Sequence, residues 1–371
     1  MINVIHVLWS AQYGGIQRMV LDLCIEQYKN SEVNSSILFI SSKGNYFQEF
    51  DNAKIKYTTA GFKGGRSFSF KKLKKIRNQF KKYQIVHFHD FNPIIFLIAL
   101  TTRKKIIYTE HGNFGFNRRL TFFEKLNHLV KRYALKYFTK AIVCNSSFTK
   151  SVLIKRYNIK KEPFVIENGA GSNFFSDPQE AQNYKLQIGD RFVIGTSSRI
   201  VEVKRIDRLI TAFAIFQKEH KNAVLLLVGD GKLLSEFRKK VVKLSLEDHA
   251  IFTGFKRNVH DYQKMMDVCV FPSQNEAFGL VAIETLAIGK PTIVFNDGGG
   301  LPEIIKQVNQ YDVVDSEKGL VKRLEYYYSL NKKEDLKKET IRKEVAKMYS
   351  TQNMEKKYLN VYERLLENVR D

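Results

Sequence analysis

Short apolar runs alternate with amphipathic segments through the first half of the chain. The apolar runs predict strands at 2–8, 36–40, 85–88, 106–109 and 141–144. A helix is predicted over 16–28, where Met19, Val20, Leu23 and Cys24 recur at helical spacing. Strands that alternate with helices in this way are typical of βαβ units built around a parallel sheet.

The second half repeats this plan. Strands are predicted at 192–196, 223–228, 249–253, 268–271 and 292–295, with helices between them. A polar, glycine-bearing stretch separates the two series. The pattern therefore predicts an α/β fold in which two doubly wound domains, 1–168 and 169–352, face each other across a cleft. The last segment, 353–371, is predicted to be a helix that packs back on the first domain.

Charge is distributed unevenly between these halves. The 371 residues include 61 Lys and Arg against 38 Asp and Glu, a net charge of +23. Residues 1–168 hold 29 of the basic and 10 of the acidic residues, a net charge of +19, whereas the remainder carries only +4. A field of that sign attracts polyanions, so nucleic acid and anionic lipid head groups are the two obvious partners for the first half.

Several classes of protein are disfavoured by the sequence. The longest apolar run, 94–100, is far too short to span a bilayer, and the N-terminus has no positively charged region of the secretory kind. We therefore expect the chain to stay in the cytoplasm. Cys24, Cys144 and Cys269 are odd in number, far apart and set in apolar stretches, so they are interpreted as buried thiols rather than as a disulfide or metal site.

The clearest chemical signal is the segment EAFGLVAIE, from Glu276 to Glu284, which follows a predicted strand and a polar turn. Phe278, Gly279 and Leu280 fall at the turn into a helix, where unpaired backbone amides and the helix dipole favour an anion. Gly279 permits close approach of a ligand, and Glu284 would lie one to two turns into the helix, near the same site.

A second segment, SSRIVEVKRID, directly follows the predicted strand at 192–196. It places Arg199 and Lys204 at the carboxyl end of that strand, where open α/β sheets bind their ligands. A guanidinium and an ammonium together suit a diphosphate.

With these two segments, the second domain resembles the retaining glycosyltransferases of the GT-B fold, family 4, also called glycosyl transferases group 1. Three further motifs carry the resemblance: VGDG (Val228–Gly231), TGF (Thr253–Phe255) and GGGLPEI (Gly298–Ile304). The first domain is similar to that family more weakly, through Gly14-Gly15, TEHG (Thr109–Gly112) and VIENGA (Val165–Ala170). The resemblance implies two Rossmann-like domains, an N-terminal one that binds the acceptor and a C-terminal one that binds a nucleotide sugar.

The resemblance also implies roles for individual residues. Arg199 and Lys204 would hold the donor diphosphate and stabilise the leaving nucleotide without a metal ion. Glu276 would bind hydroxyls of the donor sugar, and Glu284 those of the ribose. The amides of Phe278, Gly279 and Leu280 would lie near the sugar and the phosphates, and the backbone of Gly254 and Phe255 would lie near the base. The loop at Gly14 and Gly15 would approach the phosphates. His111 would lie near the sugar on the acceptor side. No cofactor is implied, and the donor would be a UDP- or GDP-sugar used as substrate.

Two further histidines, His87 and His89, follow each other at i and i+2 in VHFHD. On the expectation that no third ligand lies nearby, a structural or acceptor-site role is favoured over a metal site.

Basic and aromatic residues are interleaved in two segments of the first domain. Nine basic residues and no acidic one lie between Lys63 and Lys82, and a second segment runs from Phe114 through Lys131 and Arg132 to Tyr137. Such segments fit peripheral attachment to an anionic membrane.

The favoured function is therefore a retaining hexosyltransferase at the inner face of the cell membrane, using a lipid-linked or other glycan acceptor in surface polysaccharide, lipopolysaccharide, capsule or glycolipid assembly. One alternative is a GT-B-shaped enzyme of another class, such as a sugar-nucleotide epimerase or a phosphorylase. Another is a basic nucleic-acid-binding protein, although no motif of that class is recognisable in the sequence.

Overall fold

The computed structural model describes residues 1–62, 69–112, 121–171, 188–330 and 332–367, with backbone only for 332–334. Two compact units are present, one formed by 1–169 together with the C-terminal helix and the other by Ala170–Ser350. These bounds differ by one or two residues from the sequence-based division at 168 and 352.

The first domain is an α/β unit with a seven-stranded sheet. Its strands are β1 (Ile2–Leu8), β2 (Val33–Ser41), β3 (Tyr57–Phe62), β4 (Ile85–Phe88), β5 (Lys105–Glu110), β6 (Ala141–Cys144) and β7 (Phe164–Val165). Its helices are α1 (Gly15–Lys29), α2 (Phe47–Asn52), α3 (Phe70–Phe80), α4 (Pro93–Leu100), α5 (Phe122–Tyr133), continued by a π-helical turn at Ala134–Phe138, and α6 (Ser147–Tyr157).

All pairings in this sheet are parallel, in the order β3-β2-β1-β4-β5-β6-β7. Strands β4 and β6 are buried along their whole length, because helices cover both faces of a doubly wound sheet. The direction of winding reverses between β1 and β4. The carboxyl ends of these two strands therefore form the crevice in which such sheets bind ligands.

The second domain repeats this plan with six strands. They are β8 (Phe192–Ser197), β9 (Ala223–Val228), β10 (Ala250–Gly254), β11 (Val268–Phe271), β12 (Thr292–Phe295) and β13 (Val313–Val314). The helices are α7 (Ile206–Glu219), α8 (Leu234–Lys243), α9 (Val259–Lys264), α10 (Leu280–Ala287), α11 (Leu301–Ile305), α12 (Glu317–Ser329) and α13 (Lys332–Met348), with 3-10 turns at Glu202–Lys204, Glu247–His249 and Gln310–Asp312. The parallel order β10-β9-β8-β11-β12-β13 reverses between β8 and β11.

The C-terminal helix α14 (Thr351–Glu367) belongs to the first domain. Met354, Tyr358, Val361 and Tyr362 are spaced at helical intervals and are buried in the core that contains strand β1 and helix α1. The predicted return of the chain to its first domain is confirmed by this packing.

The predicted fold class is confirmed, and so are the buried thiols at Cys24, Cys144 and Cys269. Three strands, β3, β7 and β13, were missing from the prediction. In the described part of the chain, no helix combines the length and the apolar character needed to cross a membrane.

Candidate functional site

The winding reversal of the second domain brings the two strongest sequence signals together. Arg199 and Lys204 follow β8, and Glu276 follows the neighbouring strand β11. Because parallel strands end at the same edge of the sheet, residues 72 positions apart become neighbours. Lys204 Nζ donates a hydrogen bond to Glu276 Oε2 at 2.6 Å.

The electrostatics of Glu276 depend on this pair. Burial would raise the pKa of its carboxyl group, but Lys204, Arg199 and a hydrogen bond with Ser273 together hold the pKa below its ordinary value. Arg199 itself is exposed. The site therefore presents an ionised carboxylate beside two cations, an arrangement able to bind sugar hydroxyls and a diphosphate at neighbouring positions.

The loop that carries Glu276 is fixed by the loop that follows β12. Gly300 N–H donates to the Glu276 carbonyl oxygen at 2.8 Å, and Asn275 N–H donates to the Asp297 carbonyl oxygen at 2.9 Å. A Cβ atom at Gly300 would lie 2.7 Å from the carbonyl oxygen of Ala277, so only glycine permits this approach. The motif GGGLPEI thus supports the loop of Glu276, a function that the sequence did not reveal.

Sequence reasoning also missed the side chains that hold this arrangement. Arg208 forms a two-pronged ion pair with Asp297 at 2.7 and 2.8 Å, and Gln274 Nε2 donates to the same carboxylate at 3.1 Å. The Arg208 guanidinium also lies 4.8 Å from the centre of the Phe295 ring. The sequence gives little indication of this role, because Arg208 has the pattern of an ordinary charged residue on a helix surface.

The turn into α10 exposes backbone rather than side chains. Gly279 caps the helix with φ = 103°, and a Cβ there would lie 2.2 Å from Leu301 Cδ2. Phe278 is buried, with its ring centre 5.9 Å from that of Tyr349. Leu280 begins the helix, whose first amides have no partner within the helix. Glu284 lies one turn further on and is half-buried.

The adjoining strand ends pack backbone against backbone. A Cβ at Gly229 would lie 1.9 Å from the Ser198 carbonyl oxygen, and the Gly229 N–H donates to the Gly254 carbonyl oxygen at 3.0 Å. Gly254 has φ = 71° with no atom within 4 Å of an added Cβ, and Phe255 is 63% exposed. The end of β10 therefore offers open backbone beside an exposed aromatic ring.

The first domain has a cavity of about 560 Å³ at the ends of β1, β4 and β5. Its lining includes Trp9, Asp90, Phe91, Glu110, His111 and Lys131. Lys131 Nζ contacts Glu110 Oε2 at 2.7 Å, and both side chains are largely buried. Burial would raise the pKa of Glu110, but Lys131 and the Gly112 amide lower it below its usual value. The cavity thus combines aromatic faces with carboxylates, a composition suited to a polyhydroxylated ligand.

The burial of Lys131 corrects one expectation. The sequence suggested that it belongs to a basic membrane-facing segment, whereas its ammonium group is enclosed between the rings of Tyr108 and Tyr157, 4.7 and 5.1 Å from their centres. Helix α5 turns this side chain inward, whereas Lys125 on the same helix is exposed.

The glycines Gly14 and Gly15 lie between β1 and α1. Gly14 caps the helix in an extended conformation, and a Cβ there would lie 2.9 Å from Gln17 Oε1. Gly15 is exposed, and an added Cβ would meet nothing within 4 Å. Open backbone is therefore available at this point of the first domain.

His87 and His89 have the third neighbour that the sequence hid. Ligand atoms of His6, His87 and His89 all lie within 4.8 Å of one another, so the argument that no third histidine is nearby was wrong. All ring nitrogens of these three side chains nevertheless have hydrogen-bond partners: Gln27, Thr109, His111, Tyr362 and, between His6 and His89, each other. The cluster is a complete hydrogen-bond network as it stands.

Helices α3 and α5 display the exposed part of the basic and aromatic segments. On α3 and directly after its end, one surface is lined by Lys71, Lys74, Lys75, Asn78, Gln79 and Lys82. Apart from the largely buried side chain of Lys131, helix α5 is open to solvent, and its exposed apolar side chains include Phe122, Phe123, Leu126, Leu129 and Tyr133. Lys63, Arg66, Phe114, Arg118 and Arg119 lie outside the described residues.

Two basic residues of α3 also differ from the expectation that the basic segment faces a membrane. Lys72 donates to the Gly61 carbonyl oxygen at 2.5 Å, and Arg77 Nε donates to Thr101 Oγ1 at 3.0 Å. Both side chains support the fold of the first domain and contribute less to its exposed basic face.

Comparisons with known proteins agree with this geometry. Residues 13–171 match the model of Glycosyltransferase Family 4, and residues 178–344 match that of Glycosyl transferases group 1. The chain is 22% identical to O-antigen chain mannosyltransferase C of Escherichia coli, over 99% of both chains. It is 26% identical to alpha-monoglucosyldiacylglycerol synthase of Streptococcus pneumoniae, over 62% of this chain and 56% of that protein. The Anabaena protein HepE, solved in complex with UDP, superposes with a TM-score of 0.79 at 17% identity, over 98% of this chain and 100% of HepE.

Proposed function

Since the chain belongs to the glycosyl transferases of group 1 and has the GT-B fold, we propose that it transfers a hexosyl group, with retention at the anomeric carbon, from a UDP- or GDP-sugar to a lipid-linked glycan acceptor. The single observation that carries the donor half of this proposal is the pairing of Lys204 with Glu276 at the winding reversal of the second domain.

The donor would lie across the carboxyl ends of β8, β10 and β11. Lys204 and Arg199 neutralise the diphosphate as its bond to the sugar breaks. This stabilisation grows as negative charge develops on the departing nucleotide. Glu276 accepts hydrogen bonds from sugar hydroxyls, Glu284 from the ribose, and the surface at Gly254 and Phe255 receives the base. Because two cations already face the leaving group, we propose that transfer needs no divalent metal.

The acceptor would enter the cavity of the first domain. Trp9 and Phe91 supply apolar faces for a sugar ring, and Asp90 accepts a backbone hydrogen bond from Trp9 at 2.9 Å, which orients its carboxylate. Burial raises the pKa of Asp90 above its ordinary value. His111 lines the same cavity and would contact the sugar from the acceptor side.

We place this reaction at an anionic membrane surface. Exposed lysines on α3 supply attraction worth about 1 kcal/mol each near such a surface. The exposed aromatic and aliphatic side chains of α5 supply apolar area that can enter the interface. A lipid-linked acceptor is delivered at that boundary. Two proteins similar to this chain are named as an O-antigen chain mannosyltransferase and an alpha-monoglucosyldiacylglycerol synthase, and these names support a glycan or lipid acceptor.

Nucleotide binding followed by turnover tests the proposal. A thermal-shift series with UDP, GDP, ADP and their sugars, with and without EDTA, identifies the donor. The wild type should be stabilised by one nucleotide in EDTA, and Glu276→Gln should keep that shift while losing transfer. Strict dependence of transfer on Mg²⁺ or Mn²⁺ would contradict the metal-independent mechanism, and an active Glu276→Gln variant would remove Glu276 from it.

A further inference from the structure

A linear chain of three hydrogen bonds connects Gln27 to His111 in the first domain. Gln27 Oε1 lies 3.2 Å from His6 Nε2, and His6 Nδ1 lies 2.9 Å from His89 Nε2. His89 Nδ1 in turn lies 3.1 Å from His111 Nε2. His6 and His89 each use one nitrogen for the preceding hydrogen bond and the other for the next, so the protonation of one ring constrains its neighbour.

All three rings are neutral near pH 7. Burial lowers the pKa of His6 to about 4, although the hydrogen bond with Gln27 opposes the shift. Burial also lowers the pKa of His111 to about 4, against the attraction of Glu110. For His89, burial and the neighbouring histidines hold the pKa well below its usual value. A neutral imidazole has one donor nitrogen and one acceptor nitrogen.

The direction of these hydrogen bonds follows from Gln27. In the orientation that the structure shows, the Gln27 amide turns Oε1 toward His6. This oxygen can only accept, so the proton of His6 is on Nε2 and Nδ1 is an acceptor. His89 must then donate through Nε2 and accept at Nδ1. His111 therefore donates through Nε2, which leaves Nδ1 as the acceptor nitrogen. Among the described residues, Nδ1 of His111 has no hydrogen-bond partner.

We propose that Gln27, His6 and His89 are positioning residues that fix the tautomer of His111, so that its Nδ1 accepts a hydrogen bond from a hydroxyl group in the first-domain cavity. That the hydroxyl belongs to a glycosyl acceptor or donor sugar rests on the proposed function. The tautomer itself does not, because it is set entirely by buried residues of this domain.

The opposite tautomer would leave a buried conflict. While the Gln27 amide keeps Oε1 toward His6, a proton of His6 on Nδ1 would bring the lone pair of Nε2 against that oxygen, and two acceptors would face each other without water. A buried hydrogen bond that is lost in this way costs about 1–3 kcal/mol. That difference is enough to keep most molecules in the tautomers that carry the proton of each of these histidines on Nε2.

Gln27→Glu should reverse the order. The new carboxylate raises the pKa of His6, and a charged His6 donates through both nitrogens. His89 must then accept at Nε2 and donate through Nδ1, so His111 accepts at Nε2 and carries its proton on Nδ1. Gln27→Leu is the matched comparison, because it removes the acceptor that orients His6 without adding charge. The proton of His111 should then divide between Nε2 and Nδ1 at every pH, with no reversal driven by pH.

Long-range ¹⁵N–¹H spectra of protein labelled only at histidine nitrogens report each tautomer directly. As Gln27→Glu is titrated to lower pH, the proton of His111 should move from Nε2 to Nδ1 when His6 becomes doubly protonated. If His6 becomes doubly protonated and His111 keeps its proton on Nε2, the proposal is wrong.

The wild-type protein provides a second measurement if the variant does not fold. It should show protons on Nε2 of His6, His89 and His111, with scalar couplings across both N–H···N links. A proton on Nδ1 of His111, missing couplings, or a stoichiometric metal bound by His6, His87 and His89 would each overturn the proposal.

Turnover supplies a third readout that separates this proposal from the proposed function. Where transfer is measurable, Gln27→Glu should lower kcat by about tenfold or more and leave the donor KM unchanged, as expected when one acid–base or hydrogen-bonding partner is lost. Inability of the wild type to transfer any sugar, with the expected tautomers intact, would refute the proposed function and leave the tautomer assignment standing.

Discussion

Replacing Lys204 with alanine removes one half of the central ion pair. Its ammonium group lies 2.6 Å from Glu276 Oε2, and the two side chains are 13% and 24% exposed. Within the proposed mechanism, the same ammonium stabilises the leaving diphosphate. The substitution should therefore affect both the transition state and the charge balance around Glu276.

The two effects differ in size. Loss of one preorganised electrostatic donor raises a barrier by about 3 kcal/mol, so kcat should fall roughly 150-fold at 1.36 kcal/mol per tenfold change. The effect on folding is smaller, about 1 kcal/mol, because solvent reaches both side chains and Arg199 still compensates the carboxylate. Activity should thus fall far more than stability.

The pH dependence carries a further signature. The pKa of Glu276 is lowered in the folded protein, so its ion pair contributes stability above the unfolded-state pKa of about 4.3. That contribution is lost as the pH falls through the lowered folded-state pKa. Lys204→Ala should lose less stability over this acidic range than the wild type.

Initial rates and urea unfolding, measured on the same preparations, check these expectations. Lys343→Ala is the control, because Lys343 forms a 2.6 Å pair with Glu339 on helix α13 and is 39% exposed. It should change unfolding by no more than a few tenths of a kcal/mol and leave kcat unaltered. A Lys204→Ala enzyme with wild-type kcat, or one destabilised enough to explain its inactivity by unfolding, would refute the reasoning.

Three other predictions concern the membrane, acid stability and the helix cap. Changing four exposed lysines on and directly after α3 to Gln should release the protein from phosphatidylglycerol vesicles without altering nucleotide binding (Lys71, Lys74, Lys75 and Lys82). The same charge change at exposed lysines of the second domain should not release it (Lys218, Lys221, Lys239 and Lys243), and preference for competing DNA over vesicles would instead favour nucleic acid. Because burial holds the pKa of His6 and of His111 at about 4, unfolding by urea should become easier as the pH falls from about 6.5 to 4, by up to about 1.4 kcal/mol per pH unit for each group; a flat profile would contradict this. Gly279→Ala should destabilise the protein by more than about 2 kcal/mol, since its Cβ would overlap Leu301, whereas Gly254→Ala should cost only about 1 kcal/mol of left-handed backbone strain; equal melting temperatures for the two variants would be the contrary result.

The sequence by itself determined the elements that lie in the middle of each sheet. The runs at 85–88, 141–144, 223–228, 268–271 and 292–295 form strands with the predicted bounds. Such strands are covered by helices on both faces, so their apolar character is continuous and visible in one dimension. The placement of Arg199, Lys204 and Glu276 just after strands followed from the same pattern.

Three of the four edge strands in the described sheets escaped prediction for the opposite reason, whereas the edge strand β10 was predicted. Strands β7 and β13 are two residues long, and β3 is only partly buried, so their local sequences carry little apolar signal. They become strands because a neighbouring strand offers hydrogen bonds. Pairing with a neighbour is a property of the assembled sheet.

Only the tertiary structure decided which distant side chains meet. His6 lies opposite His87 because β1 pairs with β4 in a parallel register, and no local pattern joins residues 81 positions apart. Lys131 appeared to be a surface charge until helix α5 directed it toward Glu110. Asp297 and Arg208 acquired their function from the loop that they hold in place. Local sequence sets the propensity of each segment, whereas strand order, register and helix orientation are fixed only when the whole core packs, and these determine the environment of each charged group.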